Sequence, residues 1–365
     1  MAKKIIIAGG GTGGHIFPAI AIANALKKQD AENEILFVGA KGKMEMEKVP
    51  QAGYKIRGLD IAGFNRSSLI KNIGLPFKLV KSFLQVMNII NEFKPDAVVG
   101  VGGYSSFPVL RYAQVRGIPT FIHESNSFAG KSNILLGKKA TKVFVATDGM
   151  NKFFPQTKIV ITGNPVRPSI ANVSYIAKKE ALDFFRLKEG KTTVLAVGGS
   201  LGAKSINEAI ATHFNEFKKY NLQLIWQTGR NEAAKWKALA SNEPNVWVDD
   251  FITQMEYAYA AADIVISRAG AMAIAELCVV EKPVVFVPYP FAAEDHQTAN
   301  AKNLVQKGAA CMVADGEAKD KAVATVMELV HDENRRTQLI TNISMQAVLN
   351  ADEHIAKEIL KSLKK

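Results

Sequence analysis

Three glycine-rich stretches mark places where main chain can meet an anion: Gly9-Gly10-Gly11-Thr12-Gly13-Gly14-His15, Gly100-Val101-Gly102-Gly103-Tyr104-Ser105 and Gly198-Gly199-Ser200-Leu201-Gly202-Ala203. Glycine lets a ligand approach the backbone closely, and the N–H groups of a helix start attract negative charge. The first stretch fits G-x-G-x-x-G as Gly9, Gly11 and Gly14, which suits a dinucleotide pyrophosphate. That chemistry expects an acid at the end of the second strand to hold a ribose 2′-OH, yet the chain there reads Val38-Gly39-Ala40-Lys41. Lys41 suits a 2′-phosphate instead, so an NADP-linked oxidoreductase stands as an alternative. His15 sits where the positive end of a helix favours neutral imidazole, a base for neutral pH, with a purely structural hydrogen bond the equal alternative.

In the second half, Ser267-Arg268-Ala269-Gly270-Ala271 is followed by Glu276, a carboxylate able to accept from both hydroxyls of a ribose or simply to lie solvated on a helix. Glu294 to Asn300 offers polar groups suited to reading a sugar. The six histidines and two cysteines show no metal-ligand spacing, and neither Asp-x-Asp nor a Walker A motif occurs. Neither a bound metal nor a cofactor is expected. Cys278 and Cys311 read as buried apolar residues rather than a disulfide framework.

The elements that must position these groups follow from apolar patterning. Continuous rather than alternating apolar runs predict strands buried on both faces of parallel sheets. In the first half these are Lys4–Ala8, Glu34–Val38, Ala97–Val101, Thr120–His123, Lys142–Ala146 and Lys158–Thr162, with helical periodicity between them, as over Ile20–Lys28 and Phe77–Phe93. The pattern restarts at Thr193–Val197, Gln223–Gln227, Val246–Val248, Ile264–Ser267, Val284–Val287 and Ala310–Val313. Two doubly wound α/β halves follow, joined near Gly163-Asn164-Pro165-Val166-Arg167-Pro168, where two prolines discourage either element from continuing. A chain of 365 residues, 48% hydrophobic and 22% charged, is also long enough to need two cores. No apolar run reaches the ~18 residues of a membrane span, so the protein is expected to stay inside the cell.

Taken in order, Gly10-Gly11-Thr12-Gly13-Gly14-His15-Ile16-Phe17-Pro18, Gly102-Gly103-Tyr104, His123-Glu124-Ser125-Asn126, Gly163-Asn164-Pro165-Val166-Arg167, the third glycine stretch, Arg268-Ala269-Gly270-Ala271 and Asp295-His296-Gln297-Thr298-Ala299-Asn300-Ala301 resemble the MurG family of bacterial glycosyltransferases. The resemblance runs from end to end. It implies a GT-B fold, two Rossmann-like domains facing across a cleft. Residues 1–164 would form the acceptor- and membrane-facing domain and 165–345 the UDP-sugar domain, with a last helix at about 346–365 returning to the first. The implied reaction is inverting transfer of N-acetylglucosamine from UDP-N-acetylglucosamine to the C4 hydroxyl of the muramyl sugar of lipid I, giving lipid II for peptidoglycan.

In matching positions, Ile252 would touch uracil through its backbone, Glu276 would hold the ribose, and Ser200 and Arg167 would lie by the phosphates. Gln297 and Asn126 would contact the donor sugar, Ala271 and Met272 would join the donor site, and Thr12, Gly13 and Gly14 would close over the donor. His15 leads as base or orienting group for the acceptor hydroxyl, with Glu124 and Tyr104 as further candidates. Leu201 stands where many relatives carry Gln, so one polar contact to the donor is expected to be missing there. An epimerase acting on UDP-N-acetylglucosamine is the nearest competitor within the fold.

The charge fits a peripheral enzyme at the cytoplasmic face of the inner membrane. Residues 1–164 carry 22 Lys+Arg against 10 Asp+Glu, whereas 165–365 carry 24 against 24, so the net +12 belongs to the first half. An anionic membrane surface is the expected partner; nucleic acid is not, because no aromatics interleave with Arg. The segment with Arg66, Leu69, Ile70, Lys71, Ile73, Leu75, Phe77, Lys78 and Lys81 is the expected exposed patch. The broad apolar face that continues through Val80, Phe83, Leu84, Met87 and Ile90 is expected to be core beyond Phe83, with Lys78, Ser82, Gln85 and Asn88 as its polar strip.

Overall fold

The computed structural model describes residues 2–63, 74–199 and 201–364. They form two compact units, residues 1–166 with 350–365 and residues 167–349. In the first, strands β1 (Lys4–Ala8), β2 (Glu34–Ala40), β3 (Lys55–Leu59), β4 (Ala97–Gly100), β5 (Thr120–Glu124), β6 (Lys142–Val145) and β7 (Ile159–Ile161) form one sheet in the order β3-β2-β1-β4-β5-β6-β7. Every described pairing is parallel, for example Ile5↔Ala97 and Ile5↔Ile35 on the two sides of β1. In the second, β8 (Thr193–Val197), β9 (Gln223–Gln227), β10 (Val246–Asp249), β11 (Ile264–Ser267), β12 (Val284–Phe286) and β13 (Cys311–Met312) run β10-β9-β8-β11-β12-β13, again parallel.

The continuous apolar runs have the cause expected of them. Ile5 and Ile7 enter the core on one face of the first sheet while Ile6 and Ala8 enter the core on the other, all four fully buried. Burial of an isoleucine side chain contributes roughly 1.5–3 kcal/mol, so such a strand is anchored from both sides. The last helix, Ala351–Ser362, places Ile355, Ala356 and Ile359 in the same core as Ile22 and Leu26. The second unit has its own core around Trp226, Ile264 and Phe217.

Two sequence expectations change. Lys55–Leu59 is a strand that apolar runs did not signal, because it lies at the end of the sheet and alternates between covered and exposed residues. The helix Leu75–Phe93 turns a different face inward than expected. Val86 and Ile90 are buried and Ser82 is buried too, its hydroxyl donating to Leu79 O at 2.6 Å, while Gln85 bonds to Asp60. Leu84, expected in the core, is 55% exposed and lines up with exposed Phe77 and Val80. The apolar stripe is wider than the groove that receives it, and the neighbouring elements decide which part is covered. Arg66, Leu69, Ile70, Lys71 and Ile73 lie outside the described residues.

Candidate functional site

In each sheet the strand order reverses once, between β1 and β4 and between β8 and β11, and open parallel sheets bind ligands beyond the carboxyl ends of the strands at that point. All three glycine stretches lie there. The loops after β1 and β4 are stitched together by Gly10 N–H donating to Gly102 O at 3.3 Å. The third stretch follows β8, and Arg268 to Gly270 follows β11.

In the first unit the loop after β1 is filled by a side chain of the unit itself. Glu45, buried on the helix Glu45–Gln51, accepts from Gly11 N–H at 2.9 Å and from Ala40 N–H at 3.0 Å. A Cβ on Gly10 would come within 2.3 Å of that carboxyl group, so glycine is required at this position. This overturns the dinucleotide alternative: a buried carboxylate already takes a loop N–H that a pyrophosphate would need, and its charge repels one. Lys41, considered for a 2′-phosphate, is paired with Asp60 at 2.9 Å. Lys41 and Lys81 together hold the Asp60 carboxyl well below the usual carboxylate range.

His15 stands in the first turn of the helix Gly13–Gln29, behind Thr12 at its N-cap. Its Nδ1 lies 3.1 Å from Gly10 O, and a carbonyl only accepts, so Nδ1 carries a proton and the neutral ring has its lone pair on Nε2. Nε2 lies against Gly102, where an added Cβ would approach it to 2.8 Å. Tyr104, on the adjoining loop, is half-buried; burial first, then the charge of Glu45, raise its phenol. It stays protonated and acts as a donor.

Glu124, at the end of β5, is buried and fully committed. Oε1 accepts from Asn126 N–H and Nδ2 at 3.1 and 3.2 Å, and Oε2 from Gly130 N–H and Asn133 Nδ2 at 3.1 and 2.8 Å. Four donors make it a clamp that shapes the 125–133 loop. His123 beside it is wholly buried, and burial pushes its imidazole down to about 4.

In the second unit Glu276 is 8% exposed on the helix Ala271–Val279, whose first turn holds Ala271 and Met272. Its Oε1 accepts from Arg167 Nε and Nη2 at 3.1 and 2.9 Å, and its Oε2 from the Tyr259 hydroxyl at 3.2 Å. Ile252 is buried, its N–H donating to Gln227 Oε1 at 3.0 Å. Gln297, in the first turn of the helix His296–Gln306, accepts from Tyr289 N–H at 2.9 Å. Ser200 lies outside the described residues; the helix after its loop begins at Lys204, and Leu201 is exposed.

The second-unit residues Arg167 and Glu276 are therefore in direct contact, which sequence separation concealed. Glu45, Asn133, Gln227 and Tyr259 were missed altogether. Each acts by holding a loop or a carboxylate across sequence gaps, and no local motif signals that.

The chain matches two family models, the glycosyltransferase family 28 N-terminal domain over residues 5–145 and the glycosyltransferase family 28 C-terminal domain over residues 193–359. It is 52% identical to a UDP-N-acetylglucosamine–N-acetylmuramyl-(pentapeptide) pyrophosphoryl-undecaprenol N-acetylglucosamine transferase of Parabacteroides distasonis, over 99% of both chains. Among solved structures it is similar to MurG of Acinetobacter baumannii, with TM-score 0.80 and 30% identity over 98% of this chain and 99% of that one. A UDP-GlcNAc 2-epimerase from Neisseria meningitidis shares the fold at TM-score 0.66 and 15% identity, covering 98% and 100% of the two chains.

Proposed function

The chain belongs to glycosyltransferase family 28, among its MurG-type N-acetylglucosaminyltransferases, and from that premise we propose how its own residues carry the reaction. It is a UDP-N-acetylglucosamine-dependent glycosyltransferase of GT-B fold that moves N-acetylglucosamine to lipid I and forms lipid II. The observation that carries the residue assignment is the buried carboxylate of Glu276 at the switch point of the second sheet, held by Arg167.

The second unit, 167–349, takes the donor. Glu276 accepts from the ribose hydroxyls, the backbone at Ile252 meets uracil, and Gln297 reads the sugar from the first turn of the helix His296–Gln306. Ala271 and Met272 present the first turn of their helix. The leaving UDP gains one further negative charge as the anomeric C–O bond breaks, which Arg167 and the amides beyond Ser200 stabilise without a metal. The first unit takes the acceptor. His15 Nε2 removes the proton of the C4 hydroxyl as it attacks the anomeric carbon, and Gly10 O holds the resulting imidazolium through Nδ1–H. Tyr104 donates to the acceptor, Glu124 fixes the loop that presents Asn126 to the sugar, and Thr12, Gly13 and Gly14 add contacts to the donor.

The acceptor is lipid-linked, and no helix among the described residues is long and apolar enough to cross a membrane. The protein binds the cytoplasmic face of the inner membrane through the first turns of the helix Leu75–Phe93. There exposed Phe77, Val80 and Leu84 stand beside exposed Lys78 and Lys81, an apolar stripe rimmed by cations. The basic surplus of this half serves anionic lipid rather than nucleic acid.

Transfer of radiolabelled sugar from UDP-N-acetylglucosamine to a lipid I analogue tests the reading. Labelled disaccharide-lipid is expected; release of N-acetylmannosamine or of free UDP alone would favour the epimerase chemistry or hydrolysis.

A further inference from the structure

Glu276 is held from two sides by groups of opposite mobility. The Arg167 side chain is 40% exposed and gives two of its three nitrogens, Nε and Nη2, to one oxygen, Oε1. Tyr259, on the helix Met255–Ala261, is 3% exposed and reaches the other oxygen, Oε2. An exposed guanidinium can rotate into water and be replaced at Oε1 by a hydroxyl donor of the ligand, whereas a buried phenol has nowhere else to donate. We propose that Tyr259 is a positioning residue that fixes the Glu276 carboxylate for the donor ribose, while Arg167 occupies the ribose-facing oxygen only until the donor arrives. The proposal rests on the assignment of Glu276 to the ribose.

The physical argument is one of orientation. A carboxylate rotates about its last side-chain torsion over a broad well, and both ribose hydroxyls are satisfied only at one setting of that torsion. Tyr259 sets it from the buried side. When the ribose takes Oε1, Arg167 is released with its charge available to the diphosphate, so the ion pair of the empty site becomes a phosphate contact of the filled one. Burial and the neighbouring Glu276 charge keep the Tyr259 phenol far above its ordinary range, so it remains a donor throughout.

The test is calorimetric binding of UDP and of 2′,3′-dideoxy-UDP, which lacks the hydroxyls concerned, to wild type, Tyr259→Phe, Glu276→Ala and the double variant. Loss of one hydrogen bond to a charged group predicts about tenfold weaker UDP binding by Tyr259→Phe, with dideoxy-UDP changed less than twofold. In the Glu276→Ala background the same change should add nothing. Tyr259→Met, which also lacks the hydroxyl, should give the same loss of discrimination, and thermal unfolding checks that each variant is folded. Equal weakening of both ligands, unchanged UDP affinity, or the full loss persisting without Glu276 would reduce Tyr259 to a packing residue. If wild type itself bound both nucleotides equally, the ribose assignment of Glu276 would fall, and the role of Tyr259 with it.

Discussion

In the first unit Glu45 and Glu124 accept only from backbone N–H groups and asparagine amides, whereas in the second Glu276 accepts from a guanidinium and a phenol. Burying a carboxylate is costly unless donors replace the lost water, and both units meet that demand. They meet it to different ends. Main-chain N–H groups cannot leave, and they hold Glu45 through Gly11 and Ala40 and each oxygen of Glu124 through Asn126 and Gly130, so both carboxylates shape their loops permanently. A partly exposed arginine can leave, which is what the proposed role of Glu276 in donor binding requires. On the proposed reading, the first unit presents preformed groups to the acceptor, and the second exchanges an internal partner for the donor.

The sharpest way to break this comparison is to separate turnover from donor affinity. His15→Ala should lower kcat by about 10² to 10⁴-fold while UDP affinity changes far less, since a base contributes mainly in the transition state. Full activity would leave His15 as a loop-shaping residue. Glu276→Ala should do the converse and weaken donor binding by roughly 10²-fold, because charge-assisted hydrogen bonds of about 1.5–3 kcal/mol each are lost. An unchanged donor KM would sink the division of labour between the units.

How much of this was legible depended on whether the cause was local. The glycine stretches were readable because a close backbone approach demands glycine wherever it occurs, as at Gly10 against Glu45. Twelve of the strands were readable as apolar runs, the inner ones because burial on both faces leaves no alternation; edge strands β7, β10 and β13 kept such runs, while edge strand β3, with Lys55, Arg57 and Gly58 among its five residues, did not. The partners of those loops were illegible. Glu45 answers the question of where the acid near the second strand lies, but it sits beyond the strand on the next helix and binds the loop instead of a ribose. The Arg167–Glu276 contact spans 109 positions, and Tyr259 reads as one more aromatic in an apolar helix. The helix Leu75–Phe93 failed for a related reason: a broad apolar face does not say which of its edges a neighbour will cover.

A third prediction sharpens the picture of the first unit as a rigid, desolvated frame. His123 is neutral when folded, its imidazole pushed down to about 4 by burial, against an ordinary value of 6.5. Below pH 6.5 the unfolded chain therefore binds a proton that the folded chain refuses. Stability from this residue is whole above pH 6.5, falls as pH drops towards 4, and levels off below that. The full loss is roughly 3 kcal/mol. Denaturant unfolding of wild type and His123→Gln across pH 4 to 7 should give a shallower slope for the variant; parallel slopes would mean the histidine is not the group desolvated there.

The smallest expected effect concerns the membrane, and it asks whether the exposed stripe on the helix Leu75–Phe93 is a working surface or bare protein. Each cation near an anionic bilayer contributes about 1 kcal/mol, screened by salt, which is about fivefold in partitioning. Lys81 is already paired with Asp60 at 2.9 Å, so Lys78 is the better cation to remove. Lys78→Glu should weaken binding to phosphatidylglycerol vesicles several-fold at low salt and little at high salt. Val80→Glu with Leu84→Glu, which place charge where apolar side chains would insert, should weaken it by about tenfold at either salt concentration, since insertion is not a screened term. Turnover of a water-soluble acceptor analogue should be the same for all three proteins, because Lys78, Val80 and Leu84 have no part in the proposed chemistry. Equal co-sedimentation of wild type and both variants would show that Phe77, Val80 and Leu84 are ordinary surface, and that the basic surplus of the first unit acts from somewhere else.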